Sequence, residues 1–182
     1  RSYWAANTIY LECDPAWIPV FRQWPEVVEV QEEQLLGLIP ISTPVPDNPR
    51  RSLDDGVTVA LMDIRAPEAW NLGLTGVGVL LANFDSGVYG AHPALSSRWR
   101  GNNGHPFSHC WFDLVEPITS TPGDNDGHGT LTMGLQCGIG ANDTVGVAWN
   151  AQFIAAAVAE GGFTINNALS AFEWILDPDG NP

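Results

Sequence analysis

The run Val77-Gly78-Val79-Leu80-Leu81-Ala82-Asn83-Phe84 constrains the fold more than any other stretch, because it carries no polar alternation before it breaks at Asp85-Ser86-Gly87. A strand that faces water on one side alternates, whereas a continuous apolar strand belongs to a parallel sheet covered on both faces. A second run, Ala151 to Ala159, has the same character and leads through Glu160-Gly161-Gly162 into a helical pattern. There Thr164 stands as N-cap, and apolar residues recur at Ile165, Ala168, Leu169, Phe172, Ile175 and Leu176. Strand, loop and helix at this spacing form a crossover unit, and the fold class that follows is α/β. In open sheets of this class functional side chains gather at the carboxyl ends of strands, which singles out Asp85.

A second glycine-flanked cassette, Asp126-Gly127-His128-Gly129-Thr130, precedes a mostly apolar helix expected over 130–137 and stopped by Gly138-Ile139-Gly140. His128 then lies at a helix start, where the positive end of the dipole disfavours an imidazolium and leaves the ring free to accept a proton. A buried carboxylate would offset that effect and hold the ring's tautomer, and Asp85 is the candidate.

Upstream, residues 7–13 read as a short strand. Asp14-Pro15 caps a helix expected from Pro15 to Gln23, Trp24-Pro25 ends it, and Glu26 to Gln31 alternates as a second strand. This is a small α+β unit over residues 1–36. From 37 to 55 the chain turns to Pro40, Pro44, Pro46, Pro49 and the pair Arg50-Arg51, an exposed linker whose arginines read first as a solvated charge pair and second as a processing site. A helix is expected from Ala66 to Gly73, and residues 88–125 offer no long regular element.

The chain has 182 residues with 45% hydrophobic content, enough for one core and a small satellite. Its formal charge is −14, and all 7 basic residues are Arg, so phosphate backbones would be repelled and no nucleic-acid partner is expected. No apolar run approaches the ~20 residues of a membrane span. The 3 cysteines, Cys13, Cys110 and Cys137, show no C-x-x-C spacing, which implies neither a zinc knuckle nor a redox motif and leaves one disulfide open.

Taken together, Thr75 to Val88 with the trailing His92-Pro93-Ala94-Leu95, then Asp126 to Thr130 with Met133-Gly134, then Gly146-Val147-Ala148-Trp149-Asn150-Ala151-Gln152-Phe153-Ile154-Ala155, resemble the linked motifs of the subtilisin-like serine proteases. Within that family the helix ending Glu173-Trp174-Ile175-Leu176 is similar to that of bacillopeptidase F-type enzymes. The resemblance implies the N-terminal part of a subtilisin-like doubly wound parallel sheet over 56–182, and residues 1–36 as the second half of a propeptide that inhibits its own enzyme. It assigns Asp85 the role of triad aspartate, His128 that of general base and acid, and the backbone of Gly161 and Gly162 the pairing with protein or peptide substrates. None of the serines stands in a G-T-S-M-A-like setting, so the nucleophile and the oxyanion-hole asparagine are expected beyond Pro182, and this stretch alone is expected to be inactive. A secreted enzyme is implied, with no cofactor required, although structural calcium near Asn142 and Asp143 stays open.

The sequence departs from the family pattern at Leu131, where a second histidine is usual, and at Trp149, which replaces a proline. Three other readings remain: a non-catalytic module on the same fold, an aspartic protease using Phe84-Asp85-Ser86-Gly87, and a metal site at His105, His109, Cys110 and Asp113.

Overall fold

The computed structural model describes residues 1–37, 56–159 and 162–180. The Pro-rich stretch over 38–55 and Gly161 lie outside the described residues.

The chain opens with a two-stranded antiparallel hairpin, β1 (Ser2–Tyr3) with β2 (Thr8–Ile9). Asp14 then caps a 3₁₀ turn over Pro15–Trp17, its carboxylate accepting from the Ala16 N–H at 2.8 Å, and α1 (Ile18–Phe21) continues it. This agrees with the expected helix, because Asp-Pro supplies both the capping oxygen and a fixed φ. The expected strand over 26–31 does not form. Val27 and Val30 are half buried while Val28 is fully exposed, a three-residue spacing that offers no sheet face, and no strand pairs with it among the described residues. The pairing occurs later, at β3 (Leu35–Leu36).

Two short helices follow, α2 (Val59–Asp63), which the sequence reading did not foresee, and α3 (Ala66–Asn71). They lead to β4 (Leu80–Asp85). The 88–125 region contains three elements too short to stand out, two 3₁₀ turns over Arg100–Asn103 and Phe107–His109 and the strand β5 (Trp111–Asp113). Then come α4 (His128–Cys137), β6 (Gln152–Ala157), β7 (Phe163–Thr164) and α5 (Ile165–Leu176). The Thr164 hydroxyl accepts from the Asn167 N–H at 3.2 Å, as its N-cap position requires.

The main sheet is parallel, ordered β4-β6-β5, so the α/β expectation holds. β6 is buried along nearly its whole length, and its Ala155-Ala156-Ala157 run leaves room for close packing on both faces. On one face Met133 and Cys137 of α4 pack with Leu95, Trp99, Trp111 and Phe153. On the other, α5 brings Ala171 and Trp174 against Ala156, Phe112 and Phe84. β4 departs from the expectation of two covered faces: Leu80 is 39% exposed, whereas Phe84 lies against Phe172 with ring centroids 4.6 Å apart. The difference follows from position, since β4 is an edge of the described sheet and Phe84, near its carboxyl end, packs against α5.

Candidate active site

Parallel pairing aligns the carboxyl ends of the three strands, with Asp85 and Asp113 both in register with Ala157. The Asp85 carbonyl is fixed there by two amides, accepting from Val158 N–H at 2.9 Å and Ala159 N–H at 3.2 Å. Its side chain is buried, with Asp85 only 7% exposed.

His128 reaches the same point from α4. Gly127 precedes the helix at φ 92°, a left-handed turn that a β-carbon would strain, and Asp126 accepts from the His128 N–H at 3.2 Å. Close approach of helix to strand then depends on Gly129: a β-carbon there would stand 1.9 Å from the Gly87 carbonyl oxygen. With that gap closed, His128 Nδ1 lies 2.7 Å from Asp85 Oδ1. The same Oδ1 accepts the Ser86 N–H at 2.7 Å, and Oδ2 faces the Thr132 hydroxyl at 3.2 Å. The imidazole keeps 20% side-chain exposure against 10% for the carboxylate, so the pair is anchored inside and open at its edge.

A second carboxylate, Asp124, ties the two cassettes together. Its Oδ1 accepts from the Ser86 hydroxyl and the Gly127 N–H, each at 2.9 Å, and its Oδ2 from the Thr130 N–H at 2.9 Å and the Thr130 hydroxyl at 2.5 Å. The Ser86 hydroxyl in turn accepts from Gly129 N–H at 3.0 Å, and the Thr130 hydroxyl from Tyr89 N–H at 2.9 Å. Burial on its own would raise the Asp124 carboxyl. Hydrogen bonds from Thr130, Gly127 and Ser86 outweigh it and hold the group below the usual aspartate range.

The sequence reading missed Asp124, Thr132 and Asn83. Only Asp124 left a signal: an acidic residue shortly before a helix start is the type that caps free amides there.

Gly162, the described member of the Gly161-Gly162 pair, has φ +106° and immediately precedes β7. β7 pairs antiparallel with β3, Phe163 opposite Leu36 and Thr164 opposite Leu35. A β-carbon on Gly162 would meet the Leu36 carbonyl oxygen at 3.3 Å, so an extended strand of the same chain already lies along this edge.

The metal reading is overturned. Cys110 is wholly buried, Asp113 is engaged by its own loop through Val115 N–H, Thr119 N–H and the Thr119 hydroxyl, and no three metal-capable side chains gather among the described residues. Asn142 and Asp143 sit on an exposed turn. An aspartic-protease pair is likewise unsupported, because the partner of Asp85 is an imidazole. All three cysteines are free thiols. The two departures stand apart from the pair: Leu131 lies half exposed, and Trp149 packs edge-on against Trp70 at 6.4 Å.

Comparison with known proteins bears directly on this geometry. Residues 76–181 match the model of the subtilase family, Peptidase_S8. The whole chain is 34% identical over 196 aligned residues to bacillopeptidase F of Bacillus subtilis (strain 168), covering 14% of that protein. It is also 35% identical to the minor extracellular protease Vpr of the same organism, over 60% of this chain and 14% of that one, and 33% identical to subtilisin BL of Lederbergia lenta, over 61% and 38%. The chain thus spans only a small part of the length of the relatives it matches. With a family model covering more than half of its residues and a parallel sheet that carries the matching motifs, the chain belongs to the subtilase family of serine peptidases.

Proposed function

We propose that the protein carrying this chain is a secreted serine endopeptidase that hydrolyses peptide bonds with an Asp-His-Ser triad, to which this stretch contributes Asp85 and His128. The observation that carries the reading is the 2.7 Å contact between His128 Nδ1 and Asp85 Oδ1, made between a strand end and a helix start. Asp85 accepts a hydrogen bond from Nδ1–H, which fixes the tautomer and leaves Nε2 with the lone pair. His128 takes the proton of a serine hydroxyl as that oxygen attacks the scissile carbonyl, then returns it to the departing amine. The buried carboxylate stabilises the imidazolium formed in between. The serine is assigned to sequence beyond Pro182, since none of the described serines meets His128.

Residues 1–36 act in this proposal as the end of an inhibitory propeptide, 37–55 as the linker in which maturation occurs, and 56–182 as the first part of the catalytic domain. Three contacts support it. Glu33 accepts from the Asn166 N–H at 3.0 Å, placing a negative charge on the first turn of α5, where the helix dipole favours it. The buried Tyr3 hydroxyl meets Ser170 Oγ at 2.9 Å. β3 lies on β7 beside Gly162, along the edge where the backbone of Gly161 and Gly162 would pair with a peptide substrate.

The test uses the full reading frame that contains this chain, expressed with a signal for export. A serine-reactive fluorophosphonate should label the wild type, and Asp85→Asn or His128→Ala should lower kcat by about 10⁴-fold. A complete protein that neither takes the label nor cleaves casein is a binding module on a protease fold, and the assignment then fails.

A further inference from the structure

Among the described residues, the three donors on the Asp85 carboxylate are unevenly shared. Oδ1 receives both His128 Nδ1 and Ser86 N–H, whereas the hydroxyl of Thr132 is the contact found at Oδ2 among the described residues. Two bonds to one oxygen fix its position and leave the carboxylate free to rotate about that oxygen; a donor on the second oxygen removes this freedom. Thr132, however, is a helical threonine, and such a hydroxyl ordinarily turns back to a carbonyl of the preceding turn, here Gly129 at 3.0 Å. It has a single proton to give.

Asn83 addresses that competition. It lies two residues before Asp85 on β4, on the same face of the strand, and its Nδ2 donates to Thr132 Oγ1 at 3.2 Å. Its own carbonyl, Oδ1, is buried and meets no hydrogen-bond donor among the described residues. A buried unpaired carbonyl is a cost that a valine or leucine at this strand position would not incur. The arrangement is intelligible if the amide is kept for its donor. With one lone pair of Thr132 occupied by Asn83, the hydroxyl acts as a donor, and the charged acceptor competes better for its proton than the neutral carbonyl.

We propose that Asn83 and Thr132 are positioning residues: the Asn83 amide orients the Thr132 hydroxyl, which clamps Oδ2 of Asp85 and so fixes the plane in which the carboxylate meets His128. The clamp rests on the reading of Asp85 and His128 as a catalytic pair for its purpose, but its geometry can be read without any turnover. The experiment is proton NMR of the full-length protein labelled with ¹⁵N-histidine, following the Nδ1-bound proton of His128 in wild type, Thr132→Val, Thr132→Ser and Asn83→Val. Loss of a donor concentrates charge on the remaining acceptor, so the His128 resonance should move downfield in Thr132→Val and Asn83→Val and return toward wild type in Thr132→Ser, which keeps the hydroxyl. Asn83→Val should do so while its thermal midpoint stays level or rises, because the unpaired carbonyl is gone. In the full-length protein the same valine variants should lose about five- to tenfold in kcat with KM unchanged. An unmoved resonance in both valine variants overturns the clamp even if the protease is active. A moved resonance in a protein without protease activity sustains the clamp and sinks only the functional reading.

Discussion

Replacing Asp124 with asparagine changes one atom and should cost far more than a surface substitution. In the wild type each carboxylate oxygen accepts one fixed backbone N–H, Gly127 at Oδ1 and Thr130 at Oδ2, both at 2.9 Å, together with one hydroxyl, Ser86 or Thr130. The hydroxyls can rotate to accept from an amide, but the N–H groups cannot. Whichever way the asparagine side chain lies, one backbone N–H faces an NH₂ group. Leaving one such donor unsatisfied and weakening the charge-assisted bonds amounts to about 2 kcal/mol, and Asp124→Ala, which strands both, to about 3 kcal/mol. At roughly 2–4 °C per kcal/mol for a chain of this size, the asparagine variant should melt about 4–8 °C below wild type at pH 7. The pH dependence has a definite sign. Asp124 titrates below its unfolded value, so the folded state binds fewer protons; its contribution is complete above the unfolded pKa of about 4 and is lost as pH falls through the lower folded value. Urea unfolding followed by tryptophan fluorescence at a series of pH values should therefore show a constant gap between wild type and Asp124→Asn down to about pH 4, closing below it. A gap that persists unchanged to pH 3, or an asparagine variant as stable as wild type at pH 7, would refute the view of Asp124 as the tie between the two cassettes.

Two glycines of the same helix should respond oppositely to alanine. Gly129→Ala places a β-carbon 1.9 Å from the Gly87 carbonyl oxygen and should destabilise by about 3 kcal/mol or more, whereas Gly134→Ala meets nothing within 4 Å and should stabilise by about 1 kcal/mol; calorimetric midpoints that move in the same direction would contradict this. The thiols should also separate. Cys13 is exposed, Cys110 is raised by burial and Cys137 is pushed up to about 12 by burial, so a thiol reagent at pH 8 should modify one cysteine in the native protein and the other two only in denaturant. Rapid native reaction of a second thiol would show that the sheet face behind α4 opens.

How far the site could be read from sequence follows from how local each part is. Asp85 and His128 were legible because each sits in its own cassette, a strand meeting a glycine turn and a glycine turn meeting a helix. α5 was legible because Thr164 and the apolar stripe behind it are a local pattern. β5 was not: Trp111 to Asp113 is too short for periodicity, and only pairing with β6 makes it a strand. The strand expected over 26–31 failed for the converse reason, a local alternation with no neighbouring strand among the described residues to pair with. Thr132 and Asn83 were hidden because their meaning lies in contacts 47 and 49 positions distant along the chain, whereas Asp124 left a local signal in its caps on Gly127 and Thr130 and hid only its tie to Ser86, 38 positions away.

The carboxyl end of a strand is therefore a place where a side chain becomes available, and what crosses over it decides its use. Asp85 and Asp113 occupy equivalent positions on the two strands that flank β6, both in register with Ala157. Over Asp85 comes a glycine-bracketed helix start, close enough only because Gly129 lacks a β-carbon, and it brings an imidazole to one carboxylate oxygen and a threonine hydroxyl to the other. Over Asp113 comes its own loop, whose Val115 and Thr119 amides and Thr119 hydroxyl take up the acceptor sites and leave the carboxylate a turn anchor. Residue type and strand position are shared between them. The difference lies in the glycines beside His128, which let a second element approach, and exchanging Gly129 for alanine should accordingly turn Asp85 from the partner of an imidazole into a strand-end carboxylate without one. The histidine-labelled spectrum of Gly129→Ala checks this directly: if the variant folds, the downfield Nδ1 proton should be absent, and its persistence would show that the approach does not depend on the missing β-carbon.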